Sequence, residues 1–378
     1  MNKILLICLY ILIILSGGYI YCKLMIEYYK NNVLIYKLEN YEIISKTPDC
    51  ISLSKNKKFN IKIDPNNITN QHILNIIDEY SKQNTDLVSD FINDFFTHKT
   101  DKTQTFCCTK LVNIHNKKNA FYIAGNNDYF YQSDMAYKLN QRGYNFYAIS
   151  FPNFAFVSNV HDPKFSSFDN INYLFRYIEI IIRYYKINKI DILFGHSTGA
   201  LIATMYAEFK NVNELFIERL ILSSPLFNFY LDPSSKSVLD TDEFVTYIVT
   251  PLGLIIPHKN LKSIIGTPNM TTCQEFNELC FNPRYKSLFE INMYASWIRS
   301  VRLAQLRVQK SKVNVNCKVD IFCSNQSIYW KYSENKDNTV NVDDIKKYGK
   351  LISQNVKIHE IPNSIHACFL RINIQNYL

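Results

Sequence analysis

The stretch DILFGHSTGALIATMYAEF, residues 191–209, passes from an apolar run through two glycines flanking a serine into a segment of helical periodicity. When a strand gives way to a helix within about five residues, the linking residue is forced into a strained turn with its side chain above the sheet. Only small neighbours fit there. Gly195 and Gly199, each two positions from Ser197, meet that demand in a chain with nine glycines among 378 residues. Ser197 is therefore a nucleophile candidate, and the backbone N–H of Thr198 at the helix start is placed to face an oxyanion.

Outward from this turn, strand and helix patterns alternate. TFCCTKLVNI and NAFYIAG read as neighbouring strands, SDMAYKLNQRG as a helix closed by Gly143, and YNFYAISF as the next strand. NINYLFRYIEIIIRYYK reads as a helix, IDILF as a buried strand, TGALIATMYAEFK as a helix and RLILSSP as a strand. The alternation predicts an α/β fold: a mostly parallel sheet with helices on both faces. Residues 228 to about 316 interrupt it with the helix-like segments SVLDTDEFVTYIV and NMYASWIRSVRLAQLRVQK, a helical cap insertion and lid candidate. VDIFCS then resumes as a strand, NVDDIKKYGKLIS as a helix and VKIHEIP as the last strand.

The front of the chain differs. Residues 4–22 carry no charge over nineteen positions, about the length that crosses the hydrocarbon layer as a helix. The expectation is a single-pass N-terminal membrane anchor over residues 1–22. The alternative is a cleaved signal peptide and secretion, with Ser16-Gly17-Gly18 as the small-residue site. Lys3 against Lys23 and Lys30 gives too little asymmetry to orient the segment. Residues 23–86 form an N-terminal extension containing a helix striped by Ile73, Leu74, Ile76, Ile77 and Tyr80. A second helix is expected with Leu87, Val88, Phe91, Ile92 and Phe95 on one side. The third division, 87–378, is the α/β domain with its cap.

The net charge of +9 is spread among Asn, Ile and Tyr rather than gathered into a basic block, which argues against a nucleic-acid partner and leaves attraction to anionic lipid. Ten cysteines show no CxxC pair, and no metal ligand is expected. No cofactor is expected. Three Asn-x-Ser/Thr matches, at Asn67, Asn269 and Asn325, carry little weight in so asparagine-rich a chain.

A serine hydroxyl is a weak nucleophile and needs a base, itself oriented by an acid. For a serine on such an elbow the chain order is Ser, acid, His. His258 falls in the insertion and His359 inside a strand, leaving His366 in a loop as the base. The acid belongs after VDIFCS, where Asn325 cannot carry charge. One helix, one strand and short connections need roughly 25 to 30 residues. Asp337 lies 29 residues before His366, and Asn325 lies 41 before it. Residues 326–336 are therefore expected to make an excursion that returns Asp337 to the top of the sheet. Asp343 and Asp344, better explained as charges favourable at a helix N-terminus, are the runners-up. The second oxyanion donor candidate is the backbone N–H of Asn126, after Gly125.

The stretches IAGNNDYFYQSDMAYKLNQRGYNFYAISF, FGHSTGALIA, LILSSPLFNF, SWIRSVRLAQLRVQ, DNTVNVDDI and NSIHACFL together resemble the alpha/beta-hydrolase superfamily. The branch they resemble is the serine-aminopeptidase-like one that includes monoacylglycerol lipases and lysophospholipases. The resemblance spans residues from about 87 to the C-terminus. It implies Ser197 as nucleophile, Asp337 as acid, His366 as base, and Asn126 with Thr198 as oxyanion donors. The His-Gly pair usual in that oxyanion loop is Ala124-Gly125 here. The function expected is a membrane-tethered serine hydrolase acting on acyl esters, with monoacylglycerols or lysophospholipids as the substrates. The alternatives are a catalytically silent scaffold on the same fold and a serine aminopeptidase.

Overall fold

The computed structural model describes residues 48–49, 93–99, 103–151, 170–211, 216–230, 245–261, 275–276, 281, 286, 292–329, 331–372 and 374–377. Residues 1–22, the expected anchor, lie outside the described residues, as does the striped helix expected around Ile73. Among the described residues no helix is long and apolar enough to cross a membrane.

Nine strands form one sheet: β1 (Pro48–Asp49), β2 (Asn93–Lys99), β3 (Thr103–Leu111), β4 (Lys118–Ile123), β5 (Tyr144–Ser150), β6 (Lys189–His196), β7 (Phe216–Ser223), β8 (Lys318–Ser324) and β9 (Val356–Ile361). Their spatial order is β1-β2-β3-β5-β4-β6-β7-β8-β9. The first three pair antiparallel, and the six from β5 to β9 run parallel.

Two expectations are corrected here. Of the helix expected over Leu87 to Phe95, residues 87–92 lie outside the described residues, and its end is not helical: Phe95 and Phe96 stand opposite Cys107 and Phe106 in the β2–β3 ladder. An apolar pair four residues apart, such as Phe91 and Phe95, satisfies the strand period as well as the helical one. Nor do TFCCTKLVNI and NAFYIAG pair, since β5 lies between β3 and β4. The connection explains it: α1 (Ser133–Gln141) carries the chain from β4 back to a parallel β5 beside it, and β5 takes the place between β4 and β3.

Helices α2 (Phe175–Tyr184), α3 (Thr198–Asn211), α4 (Thr250–Ile255), α5 (Ala295–Gln309) and α6 (Val342–Gly349) complete the regular elements discussed below. A single π-helical turn, Val245–Val249, runs into α4, where Pro251 occupies the first turn. There a missing N–H costs nothing, so the proline marks a helix start rather than a loop.

Strand alternation sorts the core into two layers. Phe121, Ile123 and Leu193 face the side covered by α2, α3, α5 and α6. Ala120, Tyr122, Ile192 and Phe194 face the side covered by α1 and the C-terminal segment. β6 is buried along nearly its whole length, as the continuous apolar run IDILF requires for a strand covered on both faces. Gly143, at φ +85°, closes the turn after α1.

After β5 the chain crosses back over β4 to form β6, then continues outward through β7, β8 and β9. The order therefore reverses between β4 and β6. At such a switch point the loops leaving the strand ends diverge and open a crevice. Those two loops carry Gly125-Asn126 and Ser197.

Candidate active site

Ser197 sits at φ +55°, the left-handed region that L-residues enter at a cost of about 1–3 kcal/mol. The surroundings hold it there. Its N–H donates to Ser223 O at 2.9 Å, and its carbonyl accepts from Ala200 N at 3.0 Å and Leu226 N at 3.2 Å. The glycines serve the turn by absence of bulk. A Cβ on Gly195 would stand 2.6 Å from Ala200 Cα, and one on Gly199 would press into the carbonyl oxygens of Ile123 and Ala124. The first turn of α3 thus lies directly against the end of β4. That contact brings the two loops together, and a Cβ on Gly125 would be 3.1 Å from Ser197 Cβ.

His366 follows β9 in a loop pinned to its neighbours: Ser324 Oγ donates to Ser364 O at 2.7 Å, and Ser224 Oγ lies 3.2 Å from Cys368 Sγ. Its Nδ1 is 3.0 Å from Asp337 Oδ2 and 3.1 Å from Oδ1, with both residues buried. Asp337 reaches this place because the chain after β8 swings out and returns. Asp337 N donates to Gln326 O at 3.0 Å, and Ile328 N to Asp337 O at 2.8 Å, making a one-residue parallel bridge between Ser327 and Asp337. The carboxylate Oδ1 also accepts from Thr339 N and Val340 N at 2.9 and 3.1 Å. Asn325 instead accepts from Asn363 N, Asp343 is exposed, and Asp344 accepts from Asn228 Nδ2. None of the three meets His366.

Burial alone would lower the proton affinity of the His366 ring. The charge and hydrogen bond of Asp337 outweigh it, and the ring titrates above the ordinary histidine value of 6.5. No hydrogen bond joins Ser197 Oγ to His366, but both line one cavity of about 670 Å³, part of it open to solvent. Catalytic hydrogen bonds in empty sites are often loose and tighten on binding. Thr198, first residue of α3, and Asn126 line the same cavity. Asn127 turns the loop beside them at φ +50°, a conformation asparagine tolerates. Leu226, Phe229, Met293 and Trp297 supply its apolar wall.

A buried charge cluster lining the same cavity left no motif in the sequence. Lys286, from the insertion, contacts Asp128 Oδ1 at 2.9 Å and Glu275 Oε2. Burial pushes the Asp128 carboxyl up to about 6. Lys286, despite burial, is held above the usual lysine range by the two carboxylates. His196 stands beside Ser197 in the chain, with its ring centroid 4.9 Å from that of His366. Burial and the neighbouring His366 and Lys286 charges push it well below the ordinary histidine value, so it is neutral at neutral pH. Its 3.9 Å approach to Glu275 Oε1 is therefore a long dipolar contact rather than an ion pair. His196 alone had a visible signal, its place before the elbow serine. Glu275 and Lys286 had none.

A family model for the alpha/beta hydrolase fold matches residues 123–248. No curated protein sequence matches the chain. Among solved structures, the monoacylglycerol lipase of Paleococcus ferrophilus is similar at 17% identity and a TM-score of 0.51, covering 70% of this chain and 91% of that one. A soluble variant of the monoglyceride lipase of Saccharomyces cerevisiae, in complex with a substrate analogue, is similar at 16% identity and a TM-score of 0.52, covering 72% of this chain and 87% of that one. At such identities the likeness is one of fold, and it agrees with the parallel sheet, the strained serine turn and the segment that the family model covers. The chain has the alpha/beta-hydrolase fold.

Proposed function

We propose that the chain is a serine hydrolase cleaving acyl esters, with monoacylglycerols or lysophospholipids as the substrate class. The observation that carries this reading is the buried His366–Asp337 pair facing a cavity that Ser197 enters from a strained strand-to-helix turn. In the proposed mechanism Ser197 Oγ attacks the ester carbonyl carbon while His366 Nε2 takes its proton. Asp337 holds the Nδ1 proton, fixing the tautomer and stabilising the imidazolium. The backbone N–H groups of Thr198 and Asn126 face the developing oxyanion. The imidazolium then protonates the leaving alcohol, and water, activated by the same ring, releases the fatty acid.

The lipid part of the reading is supported by the apolar cavity wall and by the insertion, where Leu254, Ile255 and Ile256 stand exposed in succession. It also draws on the two similar lipases named above. The domain organisation proposed with it is an N-terminal extension over 23–86 and a hydrolase domain over 87–378 with its cap at about 228–316.

The test is fatty-acid release from a monoacylglycerol, followed across pH. Only the neutral His366 ring can accept the serine proton, and protonation removes it as pH falls. Because Asp337 raises the ring's affinity for protons, the acid limb of kcat/KM is expected above the ordinary histidine value of 6.5. A flat profile through that region would remove His366 as the base.

The scaffold reading is favoured by one observation, the missing Ser197–His366 hydrogen bond. It predicts no covalent labelling of the folded chain by a fluorophosphonate.

For localisation, residues 1–22 are proposed to hold the chain at a membrane, on the strength of their uncharged length. Carbonate extraction of the expressed protein should leave it in the membrane pellet. Release, with a mature N-terminus near Tyr19, would establish a cleaved signal peptide instead.

A further inference from the structure

An ester that places its acyl chain against Leu226, Phe229, Met293 and Trp297 leaves its alcohol part for the charged lining of the cavity, where Asp128, Glu275 and Lys286 meet. Lys286 Nζ has three N–H donors, and three acceptors surround it: Asp128 Oδ1, Glu275 Oε2 and, at 3.5 Å, Tyr131 OH. Its hydrogen-bonding capacity is used within the cluster. Two carboxylates against one ammonium leave one negative charge in excess.

The neighbouring groups do not offset it. Tyr122 and Tyr131 are pushed well above the ordinary tyrosine value by burial and by the Asp128 and Glu275 charges, so they stay neutral. His196 is neutral as well. Any charge on His366 faces Asp337. Asp128 itself is 2% exposed, and its Oδ2 is buried without a hydrogen-bond partner. A buried polar atom left unpaired is costly, and a carboxylate oxygen can only accept.

We propose that Asp128, Glu275 and Lys286 select esters whose alcohol part offers hydroxyl donors and no negative charge, and reject those whose alcohol part carries a phosphate. The inference rests on the ester-hydrolase reading and narrows its substrate class. A hydroxyl of the leaving alcohol completes the coordination of Asp128 Oδ2. A phosphate brings more acceptors to an acceptor, in a site where water screens charge poorly. Lys286 could turn to it only by giving up a buried carboxylate partner, which itself is strongly unfavourable.

The experiment compares kcat/KM of the full chain on a monoacylglycerol and a lysophosphatidic acid with the same short acyl chain, both monomeric. Wild type is expected to prefer the neutral ester by roughly a hundredfold or more. Asp128→Asn keeps an acceptor for Lys286 and removes the excess charge. It should shrink the preference at least tenfold, mainly by lowering KM for the phosphate ester. Glu275→Gln serves the same comparison if Asp128→Asn does not fold. Equal turnover of the two esters by wild type, or a preference unchanged in the folded variants, overturns charge selection while leaving the hydrolase reading in place. If wild type turns over neither ester, the hydrolase reading fails first and this inference fails with it.

Discussion

Replacing Ser197 with Ala is expected to abolish covalent labelling by a fluorophosphonate and to lower ester turnover on the order of a millionfold, leaving the fold intact. Removal of the nucleophile of a serine–histidine–acid set is of that size because the remaining groups act as a unit and lose their purpose together. The fold should survive because alanine at φ +55° suffers no more strain than serine, and the position is held through backbone atoms, the N–H to Ser223 O and the carbonyl from Ala200 and Leu226. Only the hydroxyl is lost. Intact-protein mass measurement of the probe adduct, with thermal unfolding of both forms, reads the two halves separately. A Ser197→Ala chain that still labels, or retains turnover, puts the reacting serine elsewhere.

The second large effect is expected at Asp337. Asp337→Asn should lower ester turnover by roughly four orders of magnitude, through the wrong imidazole tautomer and an unsupported imidazolium. The isosteric amide can still accept from Thr339 N and Val340 N through its oxygen, so the excursion after β8 should keep its shape. Asn325→Ala should change activity less than tenfold, since its side chain serves Asn363 N at the surface. Asp343→Asn and Asp344→Asn, on residues that do not touch His366, complete the comparison. A near-normal Asp337→Asn beside a collapsed Asp344→Asn would move the acid to Asp344. Four active variants would leave a Ser197–His366 dyad.

What the sequence determined by itself was local. The elbow is legible because its requirement is steric and lies within five residues: a strand, two positions without Cβ and a helix start. The alternation of β6, α3 and β7 is legible because apolar periodicity is set by the pitch of each element. His366 is legible as the histidine after Ser197 that falls in a loop, and Asp337 by chain length, since a helix and a strand between two points at the top of a sheet need a known number of residues. The return of the chain through the Ser327–Asp337 bridge, which places that carboxylate beside the ring, lies beyond any such count.

Tertiary structure alone decided three things. It put β5 rather than β4 beside β3, because the side of β4 on which the chain returns is settled by packing of the sheet and leaves no mark on either strand's residues. It made residues 93–99 a strand, because pairing with β3 settles an apolar spacing that both periods allow. It also assembled Asp128, Glu275 and Lys286, whose partners lie up to 158 residues apart. Each of the three reads in sequence as a solvated charge. Their meaning comes from burial in a shared cavity, where an ammonium must find carboxylates and a carboxylate must find a donor.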